Sequence, residues 1–484
     1  MSVFMAVLPI LITLGLLPLP RISAAIPPLL GTISAALIAV FYFHAPGGDL
    51  VEAWNGSFWT LVKVLAIIGG GVLLSRVMDR TGAQRKLAGW LAAGGPTVAS
   101  ALLMAHGVVP FLETVTGFGV SVLIGLPLLL SFGFSPYRAA LLTLVGLMIG
   151  PWGSMGPGTL LGASIAGVSM NDLGLASGVF NVIAFVASGV AAAVIAGHAA
   201  HDATSTKATW KEFLGWCATG LGSGILLWAL VLTANFLLGA AVAGATATLL
   251  VAVIWLLIIR RGRLTPGPGR SLIPYVALLL GTISGQMLYR NLELGVFGEI
   301  ISSPALWSTL AALSSLTFLP IERRDLRRLP REAGLMWWQV SIPTALYVLL
   351  GVIVAGGGLA AVLAESLAVL GHIYLFLMPF VAGLSGYITA SGTGANAMMG
   401  ATQVAAGAEL GVSPLWSMAM QNSAANWAII ASPARLELAY RLASPYQRPD
   451  TPGPEVSRGR LLSRLIPLVL VSMVIYGLVM VLAF

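Results

Sequence analysis

Glu113-Thr-Val-Thr-Gly-Phe-Gly119 and Ser391-Gly-Thr-Gly-Ala-Asn-Ala397 each set glycines and hydroxyl side chains inside an otherwise apolar stretch. Each opens a longer pattern. The first continues through Gly133-Phe-Ser-Pro136 to Gly153-Ser-Met-Gly-Pro157, the second through Gly411-Val-Ser-Pro414 to Ala431-Ser-Pro433. Trp59/Trp337, Val62/Val340, Gly133/Gly411, Ser135/Ser413, Pro136/Pro414 and Ser154/Ser432 all stand 278 positions apart. A duplicated membrane segment interrupted at corresponding places points to the binding site of a transporter.

The composition demands a membrane. With 58% hydrophobic residues, 9% charged residues and a mean hydropathy of +0.94, the chain cannot clothe one core in a water-compatible surface. Apolar runs of roughly 18–25 residues recur, each long enough to cross a hydrocarbon layer. Backbone polar groups in lipid need internal partners, and no strand-like alternation suggests a barrel. The fold class is therefore an all-α polytopic membrane protein, with about 12–14 transmembrane helices, some broken or re-entrant.

The net charge of +8 does not describe a nucleic-acid surface, because the basic residues are expected in short loops: Arg76 to Lys86, Arg260 to Arg270, Arg323 to Arg331 and Arg435 to Arg464. That is the positive-inside pattern, and it turns these segments toward the cytoplasm. The single cysteine, Cys217, lies in an apolar run and supports neither a disulfide framework nor a thiolate metal site. The run Val3 to Leu19 precedes its first basic residue, Arg21, the reverse of a signal peptide. It reads as a first transmembrane helix with its N-terminus outside.

Five parts follow: N-terminal helices (1–53), a first repeat (54–170), connecting helices (171–320), a second repeat (321–443), and a cytoplasmic linker with a final helix (444–484). The loop from His44 to Glu52 has no Lys or Arg, so the first repeat starts outside. The segment Glu322 to Glu332 is rich in Arg, so the second starts inside. Oppositely inserted halves form an inverted repeat, the topology that supports alternating access in a secondary transporter. The connecting helices serve packing and homo-oligomer contact. The linker, with Pro445, Pro449, Pro452 and Pro454, reads as flexible.

The polar residues of the breaks are the candidate site. Glycines Gly117, Gly119, Gly392 and Gly394 let the backbone leave helical geometry, and a resuming helix offers the positive end of its dipole to a carboxylate. Thr114, Thr116, Ser391, Thr393 and Asn396 add hydrogen-bonding groups. Close helix packing is the alternative use of such glycines. Ser154 and Ser432 accompany proline-interrupted segments and are read as cavity-lining groups. Gln421, Asn422 and Asn426 approach the second break, and at least one of them is expected to face the site. Arg435 pairs either with an anionic substrate or with Glu437 nearby.

Glu113 is a carboxylate within an apolar stretch, a functional candidate by default and suited to carry a coupled proton. His106, seven positions earlier, falls on about the same helical face and is a candidate proton relay or anion ligand. Lys63, and Glu365 with His372 seven residues apart on one expected helix, form a second tier.

At these residues the chain resembles the L-lactate permease family. Glu113-Thr-Val-Thr-Gly-Phe-Gly119 is similar to the family's E-G-A-A-G-F-G, and Trp152-Gly-Ser-Met-Gly-Pro157 to its F-G-A-M-G-I-P. Thr389-Ala-Ser-Gly-Thr-Gly-Ala-Asn396 is similar to T-G-S-D-T-S-S-N. Order and spacing match from about Trp54 to Ala443. The resemblance implies proton-coupled uptake of a 2-hydroxy monocarboxylate such as lactate or glycolate. It also implies an ion-transporter type fold with scaffold and mobile parts, in a bacterial cytoplasmic (inner) membrane. Two departures stand in the second half. Gly392 replaces the family's aspartate, and Ile429 occupies the place of a lysine before Ala431-Ser-Pro433. One acid and one base are lost together, and Arg435 is placed to restore the positive charge.

The expectation is a secondary active transporter of a small organic anion, coupled to protons, with sodium-coupled transport of another carboxylate or sulfonate as the alternative. No Gly-x-x-x-x-Gly-Lys-Ser/Thr motif supports direct ATP drive. No paired-carboxylate motif or close histidine set supports an enzyme, so no catalytic residue, metal or cofactor is expected. A non-catalytic scaffold would not need matched polar breaks.

Overall fold

A computed structural model describes residues 1–17, 23–91, 95–117, 119–204, 208–263, 266–292, 294–448 and 453–484. Arg21, Phe118 and the linker prolines Pro449 and Pro452 lie outside the described residues. About 85% of the structure is helical, and no strand occurs among the described residues. Nine of the described helices are long and apolar enough to cross a membrane, ten if Gly295–Ile301 and Pro304–Phe318, bent by 52°, are one span. Four further apolar helices, among them Ser2–Leu16 and Val120–Ser131, are shorter, so the described helices long enough to cross number fewer than the expected 12–14.

Two 34-residue helices, Gly47–Arg80 and Arg323–Gly356, pack against each other. At about 1.5 Å rise per residue each is some 50 Å long, well beyond the hydrocarbon thickness. The Arg-rich segment 323–332 is therefore the start of a helix rather than a loop. Arg, Leu and Glu are good helix formers, and a helix satisfies its own backbone beyond the membrane edge. Arg80 fixes the crossing: its guanidinium binds the Glu332 carboxylate through two nitrogens and Asp325 at 3.1 Å. Trp337 donates from Nε1 to the Leu65 carbonyl at 3.0 Å, with its ring laid over Gly69.

The duplication seen in sequence is repeated in backbone geometry. Gly133 and Gly411 both take left-handed conformations, at φ +90° and +80°. Ser135 (φ −62°, ψ 153°) and Ser413 (φ −63°, ψ 152°) then lead into the proline-initiated helices Pro136–Val145 and Pro414–Ala428. Proline suits the first helical turn, where its missing N–H has no partner to lose.

Two expectations change. Glu365 and His372 do not share a helix: Leu359–Ala368 ends, Gly371 (φ +54°, ψ −133°) reverses the chain, and His372–Thr389 begins. Both residues are exposed. Within Val98–Val115, residues Leu103–Val108 form a π-helix. Pro110 has no N–H to offer the His106 carbonyl, and Val109 instead reaches back to Met104.

Candidate functional site

Both interrupted segments abut one cavity of about 460 Å³. The helix Val109–Val115 ends at Thr116, Gly117 turns at φ +55°, and Gly119 (φ +83°) starts the helix Val120–Ser131. In the second copy Ala390 takes a left-handed φ of +52°, and the helix Gly392–Glu409 begins at Ser391. The Ser391 hydroxyl caps this helix by accepting from Gly394 N–H at 3.1 Å. The third elements arrive beside them. Gly153 and Ser154 break out of helical geometry, and the Ile429–Ala431 turn precedes Pro433–Ala443.

Glycines set the fit between these pieces. A Cβ on Gly117 would lie 1.5 Å from the Ser154 hydroxyl, and one on Gly392 would lie 2.1 Å from Asn426 Oδ1. Asn396 donates to the Gly158 carbonyl at 3.0 Å and to Asn422 Oδ1 at 2.9 Å. Asn422 in turn donates to Thr159 and Ser177 hydroxyls, both at 3.0 Å. A buried polar seam thus ties the second copy to the first. Its amides hold these helices in one arrangement, while Asn396 Oδ1 has no partner among the described residues.

The charges converge on the cavity. Among the described lining residues, Glu113 and Arg435 are the ionisable ones, and they face each other at 3.3 Å. Their side chains are 12% and 16% exposed. Ser121 donates to the other carboxylate oxygen of Glu113 at 2.5 Å. Glu437, the alternative partner for Arg435, is engaged elsewhere by Arg441 and Arg458. Hydrogen bonds from Arg458 and then Arg441 hold its carboxyl down to about 2.

Of the residues singled out in sequence, Glu113, Gly119, Ser154, Ser391, Gly392, Thr393 and Arg435 line the cavity. Others are near but turned away. Thr114 and Thr116 are fully buried and donate to their own helix, at the carbonyls of Phe111 and Leu112. Gly117 packs on Ser154, and Gly394 lies against Tyr347. Asn396 and Asn422 belong to the buried seam. Ser432 is buried with its hydroxyl unpartnered among the described residues.

His106 stands apart. Its ring nitrogens reach Ser223 at 2.8 Å and Ser188 at 2.9 Å, away from the cavity. The π-helix adds a residue to the turn, so a spacing of seven no longer returns to the Glu113 face. Lys63 is half exposed and pairs with Glu299 at 2.7 Å.

Ser121, Gln339 and Thr344 enter the site without a strong sequence signal. Ser121 carries no motif, though it lies two turns past Glu113 across the break. Gln339 and Thr344 stand on the long Arg323–Gly356 helix, one to seven residues from the duplicated positions Trp337 and Val340. Asn426, of the three amides on its helix, is the one that lines the cavity.

The family described as L-lactate permease matches residues 2–258 and 284–444. The chain is similar to an L-lactate permease of Streptococcus iniae, with 24% identity over 464 residues, covering 86% of this chain and 93% of that protein.

Proposed function

The chain belongs to the L-lactate permease family, and from that premise we propose that it is a proton symporter for a small 2-hydroxy monocarboxylate such as lactate or glycolate. One observation carries the reading: an acid and a base, paired to each other, are the ionisable groups lining a cavity into which two interrupted helices open. A cavity of about 460 Å³ suits a small anion with some water.

In this reading the anion's carboxylate meets the Arg435 guanidinium and the first N–H groups of the helix that begins at Gly392. Hydroxyls of Ser154, Ser391 and Thr393 complete its hydrogen bonds and meet the 2-hydroxyl. Glu113 carries the proton. The two repeats insert oppositely, and exchange of their conformations opens the cavity first to one side and then to the other. The scaffold contains the Gly47–Arg80 and Arg323–Gly356 pair, locked by Arg80. The site lies in the cytoplasmic membrane with the N-terminus outside, and copies associate through the connecting helices.

Uptake into proteoliposomes of a panel of monocarboxylates and sulfonates, with proton and sodium gradients imposed separately, tests this. The expected result is accumulation of L-lactate or glycolate driven by an inward proton gradient. Accumulation driven by sodium alone would replace the proton with sodium as the coupling ion. Preference for a sulfonate would replace the substrate.

A further inference from the structure

We propose that Glu113 and the substrate carboxylate are alternative partners of Arg435, so that anion binding itself releases Glu113 to take the proton, with Ser121 positioning the released carboxyl. This rests on the reading of the cavity as a monocarboxylate site, and adds the step that links the anion to the proton.

The geometry divides the two oxygens of Glu113. Oε1 faces Arg435 through one nitrogen at 3.3 Å, and Oε2 accepts from Ser121. A single-point contact leaves the rest of the guanidinium fork toward the cavity, where a planar carboxylate can engage it with two oxygens. The incoming anion therefore gains what Glu113 loses. Glu113 Oε1 is then an uncompensated negative charge in a site only 12% exposed, and a proton on that oxygen removes the charge. Oε2 keeps its hydrogen bond to Ser121 throughout. One anion enters and one proton binds, and the net charge of the cavity is the same before and after.

Among the described residues, no other charged side chain lines the cavity. The elements packed against Val109–Val115 are Val120–Ser131, Gly150–Met155, Ala240–Ile259 and the π-turn Leu103–Val108. The first three contain no charged or titratable residue, and the fourth contains His106, which is bonded to Ser188 and Ser223. On the opposite side, Ile68, Met336, Gln339 and Thr344 are uncharged. Glu437 is held by Arg441 and Arg458, so Arg435 has no substitute carboxylate along its own helix.

The test is calorimetric titration of the full-length protein in lipid nanodiscs with L-lactate, repeated in buffers of different ionisation enthalpy to count protons. Wild type is expected to take up about one proton per anion bound, with affinity falling about tenfold per unit rise in pH where Glu113 is ionised when empty. Glu113→Gln is expected to bind at least as tightly, independently of pH, with no proton uptake. Ser121→Ala is expected to keep the proton and to alter the pH profile of binding, because the released carboxyl loses the donor that positions it. Wild-type binding without proton uptake across pH 5–8 overturns the proposal, whether or not the variants fold. Proton uptake that persists in Glu113→Gln overturns it too. If wild type binds neither lactate nor glycolate, the monocarboxylate reading beneath it fails first.

Discussion

Arg435 meets Glu113 at 3.3 Å across 322 positions of chain, each on a short helix beside an interrupted segment. The contact joins the two halves at the cavity. The substitution that separates proton from anion is therefore at one end of this pair. Glu113→Gln should cut accumulation driven by a proton gradient at least tenfold, while exchange of labelled for unlabelled substrate continues. Unchanged accumulation in proteoliposomes would remove Glu113 from coupling.

Removing the other end leaves a carboxylate unpaired. Breaking a buried ion pair costs about 3–5 kcal/mol, and water at this partly exposed pair should reduce that to about 2 kcal/mol for Arg435→Ala. Adding Glu113→Gln should restore part of the loss, since the stranded charge disappears. Thermal unfolding of both variants in detergent measures this. Equal loss in single and double variants would show that the pair is not coupled.

Gly158 lets the copies touch. A Cβ there would come within 3.1 Å of the Thr393 nitrogen and 3.2 Å of the Gly392 carbonyl carbon, both backbone atoms that cannot swing aside. Gly158→Val should lower transport more than tenfold and stability by about 1–3 kcal/mol, with helix content by circular dichroism unchanged. Normal uptake would show that the contact is slack.

Arg80 binds Glu332 and Asp325 where two long helices cross. The group is about a third exposed, so Arg80→Ala should cost only about 1 kcal/mol. The expected signature is a lower Tm with the substrate affinity of the folded fraction unaltered. A loss of affinity at unchanged Tm would place Arg80 in the transport cycle instead.

Glu437 anchors the helix that carries Arg435 to the final helix through Arg458. Its ion pairs with Arg458 and Arg441 hold the carboxyl down to about 2, below the ordinary 4.5, so the stabilisation is complete above pH 4.5 and fades as pH falls toward 2. The Tm difference between wild type and Glu437→Gln should accordingly be full at pH 6 and smaller at pH 3.5. A difference independent of pH would assign the effect to packing.

Composition and spacing carried much of this. Runs of apolar residues dictate helices, because lipid offers the backbone no partners, and the uncharged run Ala240–Ile259 is one continuous helix. The 278-residue offset located both interruptions, since glycine, serine and proline act on the backbone next to them. Their hydroxyls were less readable. Thr114 and Thr116 stand at the end of their helix and bond the carbonyls a turn behind them, whereas Ser391 stands before the start of its helix and caps it.

By itself the sequence determined that this chain lives in a membrane as helices, and that two of its segments are broken in the same way. Only tertiary structure decided that Arg435 turns to Glu113 rather than to Glu437, that Ser121 shares the carboxylate, and that His106 belongs to another helix interface. Periodicity reports which face a residue occupies along one unbroken helix. A π-turn or a glycine break resets that count, and partners hundreds of positions away are chosen by how the helices pack.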